Sequence, residues 1–256
     1  MISVNGNIIP IGTFPDKTLL MKVDPTNGQY LIEWRYEGDH ELFALICLSK
    51  HLRGNQILQM SYIPHARQDR VKYSDDVFTL KYFCEVINSL NFDEVRVADA
   101  HSNVSLALLE RAVSLPVKPT IEKVISQIGS NNLIAFYPDE GAMKRYSGES
   151  SLPYAFGLKN RSWVTGKISG LTLINEELVK GKDVLIIDDI CSRGGTFYYS
   201  AKALKEAGAN HIYMFVTHCE ETIFSGEVFS SGLIDHVYTT HSIFKEEWQN
   251  GLITII

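Results

Sequence analysis

A chain of 256 residues with 45% hydrophobic and 21% charged side chains has the composition of a globular protein and the length for one or two domains. Its formal net charge of −6 argues against a large nucleic-acid footprint, and no apolar run approaches the length that spans a bilayer. The start, Met1 to Gly6, lacks the basic and apolar regions of a signal peptide, so a cytoplasmic protein with neither nucleic-acid nor membrane partners is expected.

In chain order, the first third reads as strands with turns. Asn5-Gly6 and Asn27-Gly28 are turn signals, and Tyr30 to Tyr36 has the aromatic and β-branched content of a strand. Gln56 to Ile63 is a further strand, and it runs into the charged segment Arg67-Gln68-Asp69-Arg70. Two guanidinium groups there can offer planar forks to phosphates, while Gln68 and Asp69 can supply donors and acceptors to an adenine edge or a ribose. Asp75 to Asn91 has helical periodicity, with Phe78, Leu80, Phe83, Val86, Ile87 and Leu90 among its apolar residues. Glu94 to Ala98 is a short strand that ends in Asp99-Ala100-His101, and Leu106 to Val113 reads as a helix. The segment Pro116 to Pro119 marks a hinge between two halves, giving domains at 1–120 and 121–256.

The second half opens with a helix over Ile121 to Ile128 and a strand over Leu133 to Tyr137. Asp139 follows that strand, where it can cap the next helix, serve a ligand, or do both. Tyr154 to Arg161 is the next strand and its exit. Val184 to Ile187 is an uninterrupted apolar run, as in a strand buried on both faces of a parallel sheet, with Asp188 and Asp189 at its carboxyl end. Ligands of open α/β sheets bind outside such strand ends. Gly194 and Gly195 then permit a tight backbone approach, and Thr196 opens a helix whose N–H groups favour an anion. A carboxylate pair suits sugar hydroxyls or a divalent cation, and a glycine turn into a helix suits phosphate, so the segment describes a sugar-phosphate site. The helix from Thr196 to Ala207 stops at Gly208, His211 to His218 is another buried strand, and the apolar tail Leu252 to Ile256 docks as a strand that can pack on the first domain. Cys47, Cys84, Cys191 and Cys219 show no metal-ligand spacing and read as free thiols. Cys191 lies in the glycine turn with no histidine beside it, which favours a side chain packed under the turn over a catalytic thiol.

The segment from Asp188 to Thr196 resembles the phosphoribosyl-binding loop shared by type I phosphoribosyltransferases and ribose-phosphate pyrophosphokinases. Ser192 and Arg193 stand where those families carry an acidic residue and a threonine. The run from Ala66 to Arg70 resembles a pyrophosphokinase segment that the transferases lack. Asp99 to His101, Pro138 to Gly141 and Ile223 to Gly226 also resemble segments of that family, as does Gly12 to Thr18 more briefly, with Thr18 in place of a glutamate. The resemblance implies two α/β domains of the phosphoribosyltransferase type, with mostly parallel sheets and the active site between them.

The same resemblance implies an ATP site of Phe14, Asp16, Arg67, Gln68, Asp69, Arg70 and His101, in which Phe14 and Asp16 reach into a neighbouring subunit, hence a homo-oligomer. It implies magnesium near His101, Asp99 and Asp139, and a ribose and phosphate site of Asp188, Asp189, Ser192, Arg193, Gly194, Gly195 and Thr196. Lys159 and Arg161 keep the spacing of the family's catalytic cations, which sit at a mobile loop. The implied reaction transfers the β,γ-diphosphoryl group of ATP to the anomeric hydroxyl of a ribose 5-phosphate moiety and releases AMP. Gaining a guanidinium at Arg193 and losing an acid at Ser192 makes the loop's rim more cationic, which suits ADP-ribose as acceptor alongside ribose 5-phosphate. ADP-ribose is the acceptor of a viral branch of the family that rebuilds NAD, and a member of that branch would work in the host cytoplasm. Two other functions remain open on this reading: a phosphoribosyltransferase, and a non-catalytic nucleotide-binding regulator.

Overall fold

The computed structural model describes residues 1–25, 28–161 and 168–256, with side chains outside 159–170. The chain divides into two compact units, Met1–Pro116 and Val117–Ile256. Each has its own sheet and its own core.

In the first unit, β1 (Ile2–Val4) and β2 (Asn7–Ile8) form a hairpin. Asn5 and Gly6 between them both have positive φ, as the Asn-Gly signal requires. A second small hairpin pairs β3 (Gly12–Thr13) with β4 (Leu19–Leu20). Then come β5 (Gly28–Trp34), α1 (His40–His51), β6 (Gly54–Met60), α2 (Thr79–Ser89), β7 (Glu94–Ala98), α3 (Asn103–Leu108) and β8 (Ala112–Leu115). The sheet order is β2-β1-β5-β6-β7-β8, parallel from β5 onward. Ile32, Trp34, Leu58, Met60 and Val97 from the strands pack with Leu45, Leu48, Leu80, Phe83 and Ile87 from the helices.

Three expectations need correction here. The first third is not strands alone, because α1 occupies His40–His51. Seven consecutive apolar residues, Leu42 to Leu48, mask its helical period in sequence. The helix expected from Asp75 begins only at Thr79, since the Asp76 carboxylate accepts the backbone N–H groups of Lys72 and Tyr73 at 2.8 and 2.9 Å and folds the preceding residues into a turn. The helix expected over Leu106 to Val113 ends at Leu108: Arg111 adopts a left-handed φ of 55°, and Ala112–Leu115 joins the sheet beside β7.

The second unit runs α4 (Lys118–Ile128), β9 (Leu133–Tyr137), α5 (Glu140–Tyr146), β10 (Tyr154–Arg161), β11 (Ile168–Ile174), β12 (Asp183–Cys191), α6 (Gly195–Glu206), β13 (Ile212–Cys219), α7 (Glu227–Ser230), β14 (His236–Thr239) and β15 (Ile253–Ile255). Its sheet order is β11-β10-β9-β12-β13-β14-β15, parallel throughout except for β11. Every residue of β9 is buried, which explains its wholly apolar sequence. The stretch after Arg161, which the resemblance reads as a loop, includes Ile168–Ile174, and these residues return as the antiparallel edge strand β11. The tail strand β15 pairs with β14 and so extends this sheet. Because β10 and β12 flank β9 on opposite sides, the carboxyl ends of β9 and β12 form a topological switch point, the place where open α/β sheets open a ligand crevice.

Candidate functional site

Two groups of side chains, one in each unit, are the candidates. In the first unit, Arg67, Gln68, Asp69, Arg70 and His101 line a single cavity of about 320 Å³ together with Lys72 and Asp76. The neighbouring strands β6 and β7 explain the convergence, since the segments that leave their carboxyl ends carry 67–76 and 99–101 respectively. Asp69 is only 4% exposed. Arg70 donates to its two carboxylate oxygens from Nε at 2.7 Å and Nη2 at 3.2 Å. Those hydrogen bonds hold the Asp69 carboxyl below its usual pKa range. Asp69 therefore orders a guanidinium. Gln68 Oε1 accepts a hydrogen bond from Thr79 Oγ1 at 2.8 Å, which ties the segment to the start of α2. Three cations against two carboxylates leave the polar cavity with a surplus of positive charge that suits an anion such as a phosphate.

Asp99 is buried and sits at a left-handed φ of 41° directly after β7, the kind of sparsely populated backbone that gathers at functional sites. Phe14 and Asp16 lie on the β3–β4 hairpin, apart from the cavity lining. Phe14 is 49% exposed. Asp16 Oδ1 accepts from Thr18 Oγ1 at 2.7 Å and from its backbone N–H at 3.0 Å, which lowers the Asp16 pKa. Lys72 and Asp76 escaped the sequence reading because the helix appeared to begin at Asp75.

In the second unit the switch point gathers Asp139, Asp188 and Asp189. The strand expected to stop at Ile187 continues to Cys191, because β12 stays paired with β13 as far as Cys191 opposite Cys219. Asp188 is half-buried, and its Oδ1 accepts the Asp189 N–H at 2.9 Å. Burial pushes the Asp188 pKa well up, and the charges of Asp189 and Asp139 add to the effect. Asp189 is buried and pairs with Arg145 Nη1 on α5 at 3.3 Å. Asp139 caps that same helix, its Oδ1 accepting the Ala142 N–H at 3.0 Å. Capping is thus one of the two roles open to Asp139. Arg145 carried no signal in sequence, where it looks like one more solvated charge beside Lys144.

The loop after β12 is built for close backbone contact. Gly194 caps α6 with a left-handed φ of 76°, and a Cβ there would fall 2.1 Å from Val228 Cγ2. Cys191 is buried, its Sγ 3.5 Å from that same Cβ position, so it packs under the turn. Ser192 Oγ bonds Thr222 Oγ1 at 3.0 Å, and Thr222 Oγ1 donates to Glu220 Oε2 at 3.1 Å. Arg193 is exposed, and Gly195 and Thr196 start α6 with their amide groups at the helix N-terminus. Lys159 and Arg161 end β10, and their side chains lie outside the described residues, as do residues 162–167 and the turn at Asn27. Among the described residues no group of three or more His, Cys, Asp or Glu side chains is arranged to hold a metal ion.

Comparison with known proteins agrees with this geometry. The phosphoribosyl transferase domain model matches residues 144–236. A ribose-phosphate pyrophosphokinase from Pyrococcus furiosus is 27% identical over 241 residues, covering 90% of this chain and 81% of that protein. The one from Thermococcus kodakarensis is 27% identical over 240 residues with the same coverage. The crystal structure of a phosphoribosylpyrophosphate synthetase from Mycobacterium smegmatis superposes with a TM-score of 0.77 over 97% of this chain and 85% of that one; at 16% identity this is a likeness of fold. The chain is therefore a homologue of the ribose-phosphate pyrophosphokinases, an α/β protein with mostly parallel sheets that carries a phosphoribosyl transferase domain in its second unit.

Proposed function

We propose that this protein transfers the β,γ-diphosphoryl group of ATP to the anomeric hydroxyl of a ribose 5-phosphate moiety. The observation that carries the reading is the cavity in which Arg67, Gln68, Asp69, Arg70 and His101 converge, because it sets guanidinium forks beside donors and acceptors that suit a nucleoside triphosphate. The anomeric oxygen attacks the β-phosphorus, the bond from that phosphorus to the α,β-bridging oxygen breaks, and AMP leaves. The first unit supplies nucleotide-binding groups. In the second, the acidic pair Asp188–Asp189 forms the ribose site, while Ser192, Arg193, Gly194, Gly195 and Thr196 take the 5-phosphate. Lys159 and Arg161 are assigned to the charge that spreads over the transferring phosphoryl oxygens, where electrostatic stabilisation supplies most of the catalysis.

Magnesium enters this reading as part of the ATP complex. That role needs few protein ligands, since magnesium is characteristically held by one or two protein groups plus substrate phosphates. His101, which lines the cavity, and Asp99, two residues before it in sequence, are the residues that would hold it. The exposed Phe14 on its hairpin supports a homo-oligomer in which that hairpin serves a neighbouring copy.

The exposure of Arg193 favours a second acceptor, ADP-ribose, which presents the same anomeric ribose behind a longer anionic substituent. An Arg fork on the extra phosphate is worth about 1.5–3 kcal/mol, or roughly ten- to a hundredfold in preference. The experiment is a coupled assay of AMP release from ATP with ribose 5-phosphate and ADP-ribose in parallel. A preference for ADP-ribose that collapses in the Ser192→Asp, Arg193→Thr double variant supports the second reading. A preference for ribose 5-phosphate unchanged by that variant removes it. Consumption of a ribosyl diphosphate with a nucleobase would mark a phosphoribosyltransferase, and nucleotide binding without turnover a regulator.

A further inference from the structure

We propose that Arg145 is a positioning residue for the acceptor site: its guanidinium fixes Asp189, leaving Asp188 as the carboxylate that meets the ribose hydroxyls. The inference rests on the diphosphotransfer reading and goes beyond it by dividing the acidic pair into two unequal roles.

Adjacent carboxylates at the end of a buried strand repel each other, and burial removes the water that would screen them. One answer is a counter-ion for one of the two, and Arg145 Nη1 stands 3.3 Å from Asp189 Oδ2. Asp189 is almost fully buried, whereas Asp188 keeps more exposure. The Asp189 N–H also donates to Asp188 Oδ1 at 2.9 Å, so the residue that Arg145 immobilises helps to orient the one that faces ligand.

The helix that presents Arg145 is anchored at both ends. Asp139 caps its first turn through the Ala142 N–H, and Tyr137 Oη donates to the Tyr146 carbonyl at 3.2 Å. Tyr146 itself is fully buried, and the Arg145 guanidinium lies 5.6 Å from the centre of its ring. A chain of contacts thus runs from Asp139 through α5 to Arg145 and on to Asp189. Nothing in the sequence spacing of Arg145 and Asp189 announces it.

The test uses the full chain and three proteins: parent, Arg145→Gln and Arg145→Lys. AMP release is measured with the acceptor varied at saturating ATP and with ATP varied at saturating acceptor, beside melting temperatures. The account predicts that Arg145→Gln raises the acceptor KM by about tenfold or more, the scale of one charge-assisted hydrogen bond, with the ATP KM within about twofold of the parent. Arg145→Lys, which keeps the charge and loses the fork, recovers most of the loss. Equal rises in both KM values, or a folded Arg145→Gln protein with an unchanged acceptor KM, would overturn it. If Arg145→Gln fails to fold, the Lys variant decides, because an acceptor KM equal to that of the parent supports a charge at this position and a KM that rises together with that for ATP refutes it.

Calorimetric titration of parent and variants with ribose 5-phosphate gives the same comparison without turnover, so a parent that binds this ligand but releases no AMP sinks the proposed reaction and leaves the role of Arg145 to the binding data. A parent that binds no ribose phosphate overturns both.

Discussion

Gly226 lies so close to Arg193 that a Cβ on it would fall 1.8 Å from the Arg193 carbonyl oxygen and 2.7 Å from its carbonyl carbon. Both neighbours are backbone atoms and cannot swing aside. The segment before α7 therefore acts as a floor for the loop after β12, with the Glu220 N–H donating to the Cys191 carbonyl at 2.8 Å as a second tie. The loop's shape depends on this contact.

Gly226→Ala should accordingly displace the loop. We expect a loss of about 1–3 kcal/mol in stability, the range for overpacking, and an acceptor KM raised by about tenfold or more. Chemical denaturation and steady-state kinetics check the two effects. Gly194→Ala should be worse, because its positive φ adds strain to the clash with Val228, and Val228→Ala should relieve only the clash.

Lys159→Ala should lower turnover far more than it weakens ATP binding, because a cation assigned to the transferring phosphoryl group acts mainly in the transition state. Equilibrium binding of a non-hydrolysable ATP analogue beside kcat separates the two. A loss of affinity with turnover intact would remove the assignment. Chelation of magnesium should abolish AMP release in the parent and in every variant.

Asp76→Ala should open the turn that holds Lys72 at the cavity lined by Arg67 and Arg70, since two backbone N–H groups lose their acceptor. A severalfold rise in the KM for ATP with the acceptor KM unchanged is the expected outcome. Equal changes in both would show that the turn does not serve the nucleotide.

Asp183 offers a test of stability against pH. Burial alone would raise its pKa, but hydrogen bonds from Ser130 Oγ, Asn210 Nδ2 and the His211 N–H outweigh burial and hold the carboxyl below its usual value. Its stabilising contribution is therefore complete above the unfolded pKa of about 3.9 and is lost as pH falls through the lower folded value. Asp183→Ala should cost about 1–2 kcal/mol at pH 7 after allowance for solvent screening. The difference from the parent should shrink below about pH 4, as read from urea midpoints.

Legibility in the sequence followed the physics of each element. The strands of the second sheet stood out because burial on both faces leaves uninterrupted apolar runs, as in Leu133–Tyr137 and Val184–Ile187. The fully apolar stretch within α1 hid a helix for the same reason, since without polar punctuation there is no period to read. Gly194 was visible as part of a glycine pair, but the partner that presses on it, Val228, comes from a long-range contact, as does the close approach of Gly226 to the Arg193 backbone. Arg145 was invisible because its value lies in a partner 44 positions away, whereas Arg67 and Arg70 announced themselves as a cluster.

The most direct measurement of the central claim is the product pattern from ATP and ribose 5-phosphate with magnesium, followed by phosphorus NMR. AMP and a diphosphate ester at the anomeric carbon, formed in equal amounts, are the expected products. Formation of ADP, release of free diphosphate without a new ester, or no turnover with either ribose 5-phosphate or ADP-ribose would contradict the claim.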